Sequence, residues 1–243
     1  MMIYYVVSGL LGVSNMILWG VYGDLLVERF SFVKILRSLA LGMAWSILLF
    51  FVHSTLPLFI VALIVICLER ITTEIYKALI RVEDQDKYSI PSDLNLKWNQ
   101  TLKRFLGLLL IATLAVTVYF IEIPLNNISI TIIIGLFAAL TGMSKDAPYE
   151  GFKLLTFFRS PVNSIALGIL LSILFPAIGG KYLLLAIAGG ERILSEFYKK
   201  IFKGRIPGKF KQIEHNEAWK EKRSWVLVMY AANIIGIVFL IQF

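Results

Sequence analysis

Eight apolar runs, at about residues 3–22, 38–54, 56–68, 105–121, 127–144, 161–177, 180–190 and 225–243, alternate with polar stretches along the chain. A helix needs about 20 residues to cross the hydrocarbon core of a bilayer. Only structures that satisfy their own backbone groups persist there. The predicted fold class is therefore all-α, a polytopic membrane protein with eight transmembrane helices. Two runs fall short of that length. Residues 57–68 and 182–190 give only 12 and 9 residues before Glu69-Arg70 and Glu191-Arg192. Their helices are expected to run on through ERITTEIYKALIR and ERILSEFYKKIF, carrying charges into the inner half of the membrane. Such charges must be paired or face a wet cavity. The spacing offers pairing, because Arg70 and Glu74, like Arg192 and Glu196, are i,i+4 neighbours on one helical face.

Composition supports the membrane reading and limits what the charge can mean. The 243 residues are 58% hydrophobic and 16% charged, with a mean hydropathy of +0.78; soluble domains carry about 25% charged residues. The net charge is +8, yet of 24 Lys and Arg all but Lys181 fall in four stretches, 23–37, 69–104, 145–160 and 191–224. The connections near 53–57, 122–127 and 177–181 are almost uncharged. By the positive-inside rule the charged stretches are cytoplasmic and both termini lie outside. Topology thus accounts for the basic balance, and no nucleic-acid partner is expected. Cys67 is the single cysteine and sits in an apolar run, while His53 and His215 lack ligand-spaced neighbours. No disulfide framework, zinc or haem site is predicted. The first apolar run has no basic segment before it, so a cleavable signal peptide is not expected.

An offset of 122 residues aligns the two halves of the chain. Asp24, Glu28, Phe30, Arg37 and Ser38 fall on Asp146, Glu150, Phe152, Arg159 and Ser160; Glu69, Arg70, Glu74, Tyr76 and Lys77 fall on Glu191, Arg192, Glu196, Tyr198 and Lys199. Spans one to four map onto spans five to eight. An even number of spans per copy makes the repeats parallel, related by an axis along the membrane normal. The units are residues 1–122 and 123–243.

Two matching segments hold the candidate chemistry, GDLLVERFSFVKILRSL at 23–39 and KDAPYEGFKLLTFFRSP at 145–161. Residue by residue, they have a structural reading. Asp146 can N-cap a short helix with Pro148 in its first turn and Glu150 complementing the dipole. Ser160-Pro161 can start the next span, and arginines anchor membrane edges. Taken as a set, the same residues suit chemistry. Carboxylates at i and i+4 can hold a hard cation such as Mg²⁺, which tends to bridge one or two carboxylates to substrate phosphates. Nearby Arg and Lys neutralise the remaining phosphate charge, Arg in bidentate fashion. A greasy cavity above would suit an isoprenoid tail.

With Asp146-Ala-Pro-Tyr-Glu150 and Arg159-Ser-Pro161 in one half and Asp24…Glu28…Arg37 in the other, the chain resembles the UbiA-type intramembrane prenyltransferases. Tyr76-Lys77 and Tyr198-Lys199 look like that family's Tyr/Lys-Arg segment. The resemblance covers nearly the whole chain, with the family's first helix missing. It implies two parallel four-helix repeats with a cytoplasmic acidic motif on each. It also implies Mg²⁺ held by Asp24, Glu28, Asp146 and Glu150 on a prenyl diphosphate or other lipid phosphate. Arg37, Arg159, Lys77 and Lys199 would grip the diphosphate and stabilise its departure. Glu69, Arg70, Tyr76, Glu191, Arg192, Tyr198 and Lys153 would complete the substrate site. The chain departs from the family pattern in three places. Gly20 and Gly142 stand where an Asn is usual, Glu replaces the second Asp in both halves, and Arg-Ser-Pro follows the second motif.

Tyr22, Tyr149, Phe157 and Phe158 near the mouth could shield an allylic cation, though core packing or an interfacial belt explains them first. The alternative to an enzyme is a transporter, channel or anionic-lipid-binding protein on the same duplicated bundle. Parallel repeats with midline charges suit an ion path, and the basic FKGRIPGKFKQ loop suits lipid headgroups.

Overall fold

The computed structural model describes residues 1–24, 31–81, 99–123, 127–150, 154–202 and 223–243, without the side chains of Asp24, residues 142–150, Leu155, Thr156 and Phe202. Every regular element among the described residues is helical: α1 (Met2–Asp24), α2 (Phe32–Val52), α3 (Leu58–Ile75), α4 (Gln100–Phe120), α5 (Asn127–Glu150), α6 (Leu154–Leu174), α7 (Gly180–Phe197) and α8 (Ser224–Phe239). A π-helical turn prolongs α3 over Tyr76–Ile80 and another prolongs α7 over Tyr198–Phe202. Leu240–Gln242 extends α8 as a 3₁₀ turn.

Five helical segments are long and apolar enough to cross a membrane: Met2–Gly23, Phe32–Val52, Gln100–Phe120, Phe157–Leu174 and Ser224–Gln242. Asn127–Thr141 of α5 is a shorter apolar stretch. The remaining helices, α3 and α7, carry the buried glutamates Glu69, Glu191 and Glu196, and they are the inner ones. α3 packs against α1, α2 and α7. Its buried residues run from Leu58 and Ile60 without interruption to Glu69, then include Thr72 and Thr73. A helix that is apolar all round must be a core helix, and α3 is one along its first three turns. Its charges begin where its apolar run ends.

Both short runs are prolonged as the sequence suggests. α3 continues through Glu69-Arg70 to Ile75, and α7 through Glu191-Arg192 to Phe197. Two other expectations are corrected. Asp146 has helical backbone inside α5, whereas an N-cap needs extended backbone; the acidic segment therefore closes a helix instead of opening one. Likewise α6 starts at Leu154 and Pro161 lies inside it. Residues 154–160 already have an uninterrupted helical backbone, so Arg159-Ser160 sit within a helix and not on a loop. Arg37 and Ser38 are also inside a helix, since α2 starts at Phe32.

Elements of the second half repeat the bounds of the first at 122 residues' distance. This holds for Phe32–Val52 and Leu154–Leu174, for Leu58–Ile75 and Gly180–Phe197, and for the two π turns. The contacts between the first two helices of each half add a finer correspondence. A Cβ on Gly9 of α1 would collide with Ser46 of α2, and one on Gly168 of α6 would collide with Thr131 of α5. Residue 131 is the counterpart of 9, and 168 of 46, so the glycine and the hydroxyl residue have exchanged helices. The next layer does the same: Gly42 faces Val13, while Gly135 faces Ser164 and Pro161. Small residues let helix backbones approach closely, and each close approach needs only one partner to be small.

That exchange is testable. Gly168→Ser alone will overpack the α5–α6 contact and cost about 1–3 kcal/mol. Thr131→Gly alone will cost about 0.3 kcal/mol through helix propensity. Together they recreate the Gly9–Ser46 arrangement, so unfolding in detergent should show the double variant more stable than the sum of its singles. Strict additivity would contradict the interpretation.

Polar ties fix the rest of the bundle. The Tyr5 hydroxyl donates to the carbonyl of His53 (2.9 Å) and accepts from the Leu56 amide (2.7 Å), locking the α2–α3 turn onto α1. At that same end Lys181 of α7 pairs with Glu122 after α4 at 2.8 Å. α8 is held on α1 by Asn15 Nδ2 donating to Asn233 Oδ1 (3.0 Å) and Asn233 Nδ2 donating to the Leu11 carbonyl (2.9 Å). Below these, Trp19, Tyr22, Val226 and Tyr230 form a separate buried cluster.

Candidate functional site

The charged ends of α2, α3, α6 and α7 carry two similar polar arrays. In the first half the Glu69 carboxylate is buried, and its Oε1 accepts from Ser38 Oγ on α2 (2.7 Å) and Thr73 Oγ1 on α3 (2.9 Å). In the second, Glu191 Oε1 accepts from Ser160 Oγ on α6 (2.7 Å) and Ser195 Oγ on α7 (2.5 Å). Each carboxylate thus clamps two helices through hydroxyl donors. One turn on, Arg70 pairs with Glu74 at 2.5 Å and Arg192 pairs with Glu196. Lys77 approaches Glu74 and Lys200 approaches Glu196, both at 3.6 Å.

α3 and α7 bring these arrays together. A Cβ on Gly189 would collide with the Leu63 carbonyl oxygen, so α7 lies directly on the α3 backbone. Arg70 consequently feels the charges of Arg192 and Glu196 as well as of its own Glu74 and Glu69. Two guanidinium groups near enough to act on each other repel, and the glutamates that also act on Arg70 offset this. Glu69 and Glu191 are therefore engaged in bonds that hold α2 to α3 and α6 to α7, and Arg70 and Arg192 in ion pairs within their own helices.

Arg37 and Arg159 are placed differently. The Arg37 guanidinium lies over the Tyr76 ring at 5.0 Å and that of Arg159 over Tyr198 at 5.2 Å, a distance suited to cation–π attraction. Both tyrosines open a π-helical turn, a bulge that often marks functional sites. Each arginine immediately precedes the serine that its half's glutamate clamps, so its Cα is fixed by that hydrogen bond. Yet Nε of Arg37, and Nε and Nη1 of Arg159, are shielded from solvent and have no hydrogen-bond partner among the described residues. Buried polar groups are nearly always satisfied. Shielded guanidinium donors thus recur at two matching positions, one in each half.

The four acids expected to hold Mg²⁺ lie outside the described side chains, as does Lys153. Glu28 and Lys153 are not described at all, and only the backbone is described for Asp24, Asp146 and Glu150. That backbone puts Asp146 and Glu150 on one helix, four residues apart, and Asp24 at the end of α1. Among the described residues no group of three or more His, Cys, Asp or Glu is arranged to hold a metal. The aromatics near the mouth divide. Tyr22 is buried against Trp19 and carries Arg223 over its ring at 4.9 Å. Phe157 and Phe158 meet edge to face, with Phe158 exposed, and Tyr149 lies outside the described side chains.

No family model, curated protein or solved structure matches this chain. Sequence reasoning missed the hydroxyl donors Thr73 and Ser195, although a hydroxyl at both members of a 122-residue pair was there to be seen. It also passed over Lys200, because its counterpart is Ala78.

Proposed function

We propose that the chain is a duplicated membrane bundle, residues 1–122 and 123–243 forming parallel four-helix halves, that binds a prenyl diphosphate with Mg²⁺ at its charged end and transfers or cyclises the prenyl group. The observation that carries this reading is the pair of unpaired, tyrosine-backed guanidiniums of Arg37 and Arg159. Arginine forks match phosphate oxygens in bidentate geometry. The exposed apolar faces of the surrounding helices suit an isoprenoid chain, and the basic stretches set the mouth on the cytoplasmic side.

Asp146 and Glu150, four residues apart on one helix, with Asp24 and Glu28 at the matching places of the first half, would be the carboxylates offered to a hard cation. Mg²⁺ so held would neutralise diphosphate charge. Arg37 and Arg159 then stabilise the negative charge that grows on the leaving diphosphate as its bond to the allylic carbon breaks. Lys77 and Lys199, next to the two tyrosines, add to that field. Glu69 and Glu191 position the arginines through Ser38 and Ser160. A non-enzymatic lipid- or ion-handling protein would use the same surface for anion binding without bond cleavage.

Purified protein incubated with Mg²⁺ and prenyl diphosphates of several chain lengths should release pyrophosphate. Asp146→Asn should lower that release by about 100-fold, as expected when a developing charge loses one of its stabilisers. Binding without release for every chain length would select the non-enzymatic alternative. No binding at all, or an Asp146→Asn variant with unaltered binding and release, would remove the proposal.

A further inference from the structure

The two halves place their last helix differently. α8 crosses to the first half and packs on α1, whereas α4 lies on its own half, against α3 and the π turn that prolongs it. Gly107 of α4 is buried there, close against Leu79 and Ile80. Among the described residues α4 makes no extended contact with α5. The reason lies in the matching residues. α1 and α8 are joined by the Asn15–Asn233 hydrogen bond and by the contact of the Trp19 and Tyr230 rings at 4.2 Å. On α5 the counterparts of Asn15 and Trp19 are Phe137 and Thr141; on α4 those of Asn233 and Tyr230 are Ile111 and Leu108. Neither tie can form, and the faces it would close stay open. Asn15 and Tyr230 are 0% and 7% exposed, but Phe137 and Leu108 are 64% and 62% exposed.

The α4–α5 seam has two unlike ends. At the outer end α4 returns to the bundle: Leu114 and Ala115 pack on the main core, Val118 is buried, and Glu122 pairs with Lys181 of α7. At the charged end α4 carries Lys103, half-buried, and Arg104, exposed. Neither side chain is bonded to another residue among those described. From Arg104 to Leu114 the helix rises about 15 Å, half of the roughly 30 Å hydrocarbon core. The open part of the seam is thus one leaflet deep, on the charged side.

Any exposed apolar helix of a membrane protein meets lipid chains. This seam differs by the two cations at its mouth, at places where the α1–α8 seam has Trp225 and Val226. Basic side chains at a membrane surface attract anionic headgroups. We propose that the α4–α5 seam binds one anionic phospholipid of the charged-side leaflet, with an acyl chain along Leu108 and Phe137 and the headgroup phosphate on Lys103 and Arg104. The lipid joins α4 to the second half, as protein contacts join α8 to the first.

Native mass spectrometry of the full chain in detergent, titrated with dioleoyl phosphatidylglycerol or dioleoyl phosphatidylcholine, tests this. About one phosphatidylglycerol per chain should be retained, in preference to phosphatidylcholine. Lys103→Gln with Arg104→Gln should lower that affinity by about 30-fold, roughly fivefold for each basic residue. Leu108→Tyr with Thr141→Trp restores the aromatic pair of the α1–α8 seam and leaves both cations in place; it should lower the affinity by a similar factor. Both positions are exposed, and an unchanged melting temperature in lipid-free detergent checks that each variant is folded. Equal retention of the two lipids, or unaltered affinity in either double variant, overturns the proposal. Dimers that retain no lipid overturn it too, and make the seam an interface between copies.

Discussion

Replacing Arg37 and Arg159 together by glutamine will weaken prenyl diphosphate binding by about 100-fold or more while leaving the protein at least as stable as before. The binding loss follows from two charge-assisted contacts, each worth about 1.5–3 kcal/mol. The stability half of the expectation is the more discriminating. Nε of Arg37, and Nε and Nη1 of Arg159, are shielded and unpartnered, and a shielded donor left without a hydrogen bond costs about 1–3 kcal/mol. Removing that cost should offset the lost stacking on Tyr76 and Tyr198, which is worth about 0.5–2 kcal/mol. A residue kept for structure would show the reverse, a drop in stability with no effect on binding. Thermal unfolding with and without farnesyl diphosphate reads both quantities in one experiment, because a ligand that binds only the folded state raises its stability. Opposite signs for stability and binding are the signature of a functional site.

Gly189→Ala will disrupt the bundle, whereas Gly190→Ala next to it will be tolerated. At Gly189 the added Cβ collides with the backbone carbonyl of Leu63. Neither group can turn aside, so α3 and α7 must separate, and with them the Arg70 and Arg192 arrays. Interiors pack like organic crystals and do not absorb such an insertion locally. At Gly190 the nearest atoms are the Leu167 methyls at 3.1 and 3.3 Å, and a leucine end can change rotamer. The expected result is loss of folded, monodisperse protein for the first variant and a melting temperature within a few degrees of wild type for the second. Equal effects would show that α7 does not lie on the α3 backbone.

Much of the helical layout was legible from hydrophobicity, because the runs are long. The charge-bearing helices were legible for a different reason. Runs of 12 and 9 residues cannot cross alone, and i,i+4 acid–base spacing beyond them showed how the helix could go on. Arg70–Glu74 and Arg192–Glu196 indeed form. Helix starts were misread where a charged residue within the first two turns cuts the apolar run short. Phe32-Val33-Lys34 opens α2 and Leu154-Leu155-Thr156 opens α6, so Arg37 and Arg159 project from helices. The proline at 161 suggested a helix start that the backbone does not make there. At the site, sequence could name Arg37, Arg159, Tyr76 and Tyr198 from the repeat, but not that each arginine would sit on its tyrosine. The rings are 39 residues further along in both halves, and only the packing of α2 on α3 and α6 on α7 brings them together. Lys200 was invisible for a further reason. Its counterpart is Ala78, and a search for matching residues cannot find a tie that only one half makes.

The charged end of this bundle is proposed to bind a prenyl diphosphate between its two halves. Calorimetric titration of the intact protein in nanodiscs with farnesyl diphosphate, with Mg²⁺ present and then chelated, tests it most directly. Saturable binding with one diphosphate per chain is expected, weakened when Mg²⁺ is removed and lost in the Arg37→Gln, Arg159→Gln variant. Binding equal in that variant and the unmodified protein, or none for any prenyl chain length, would contradict it.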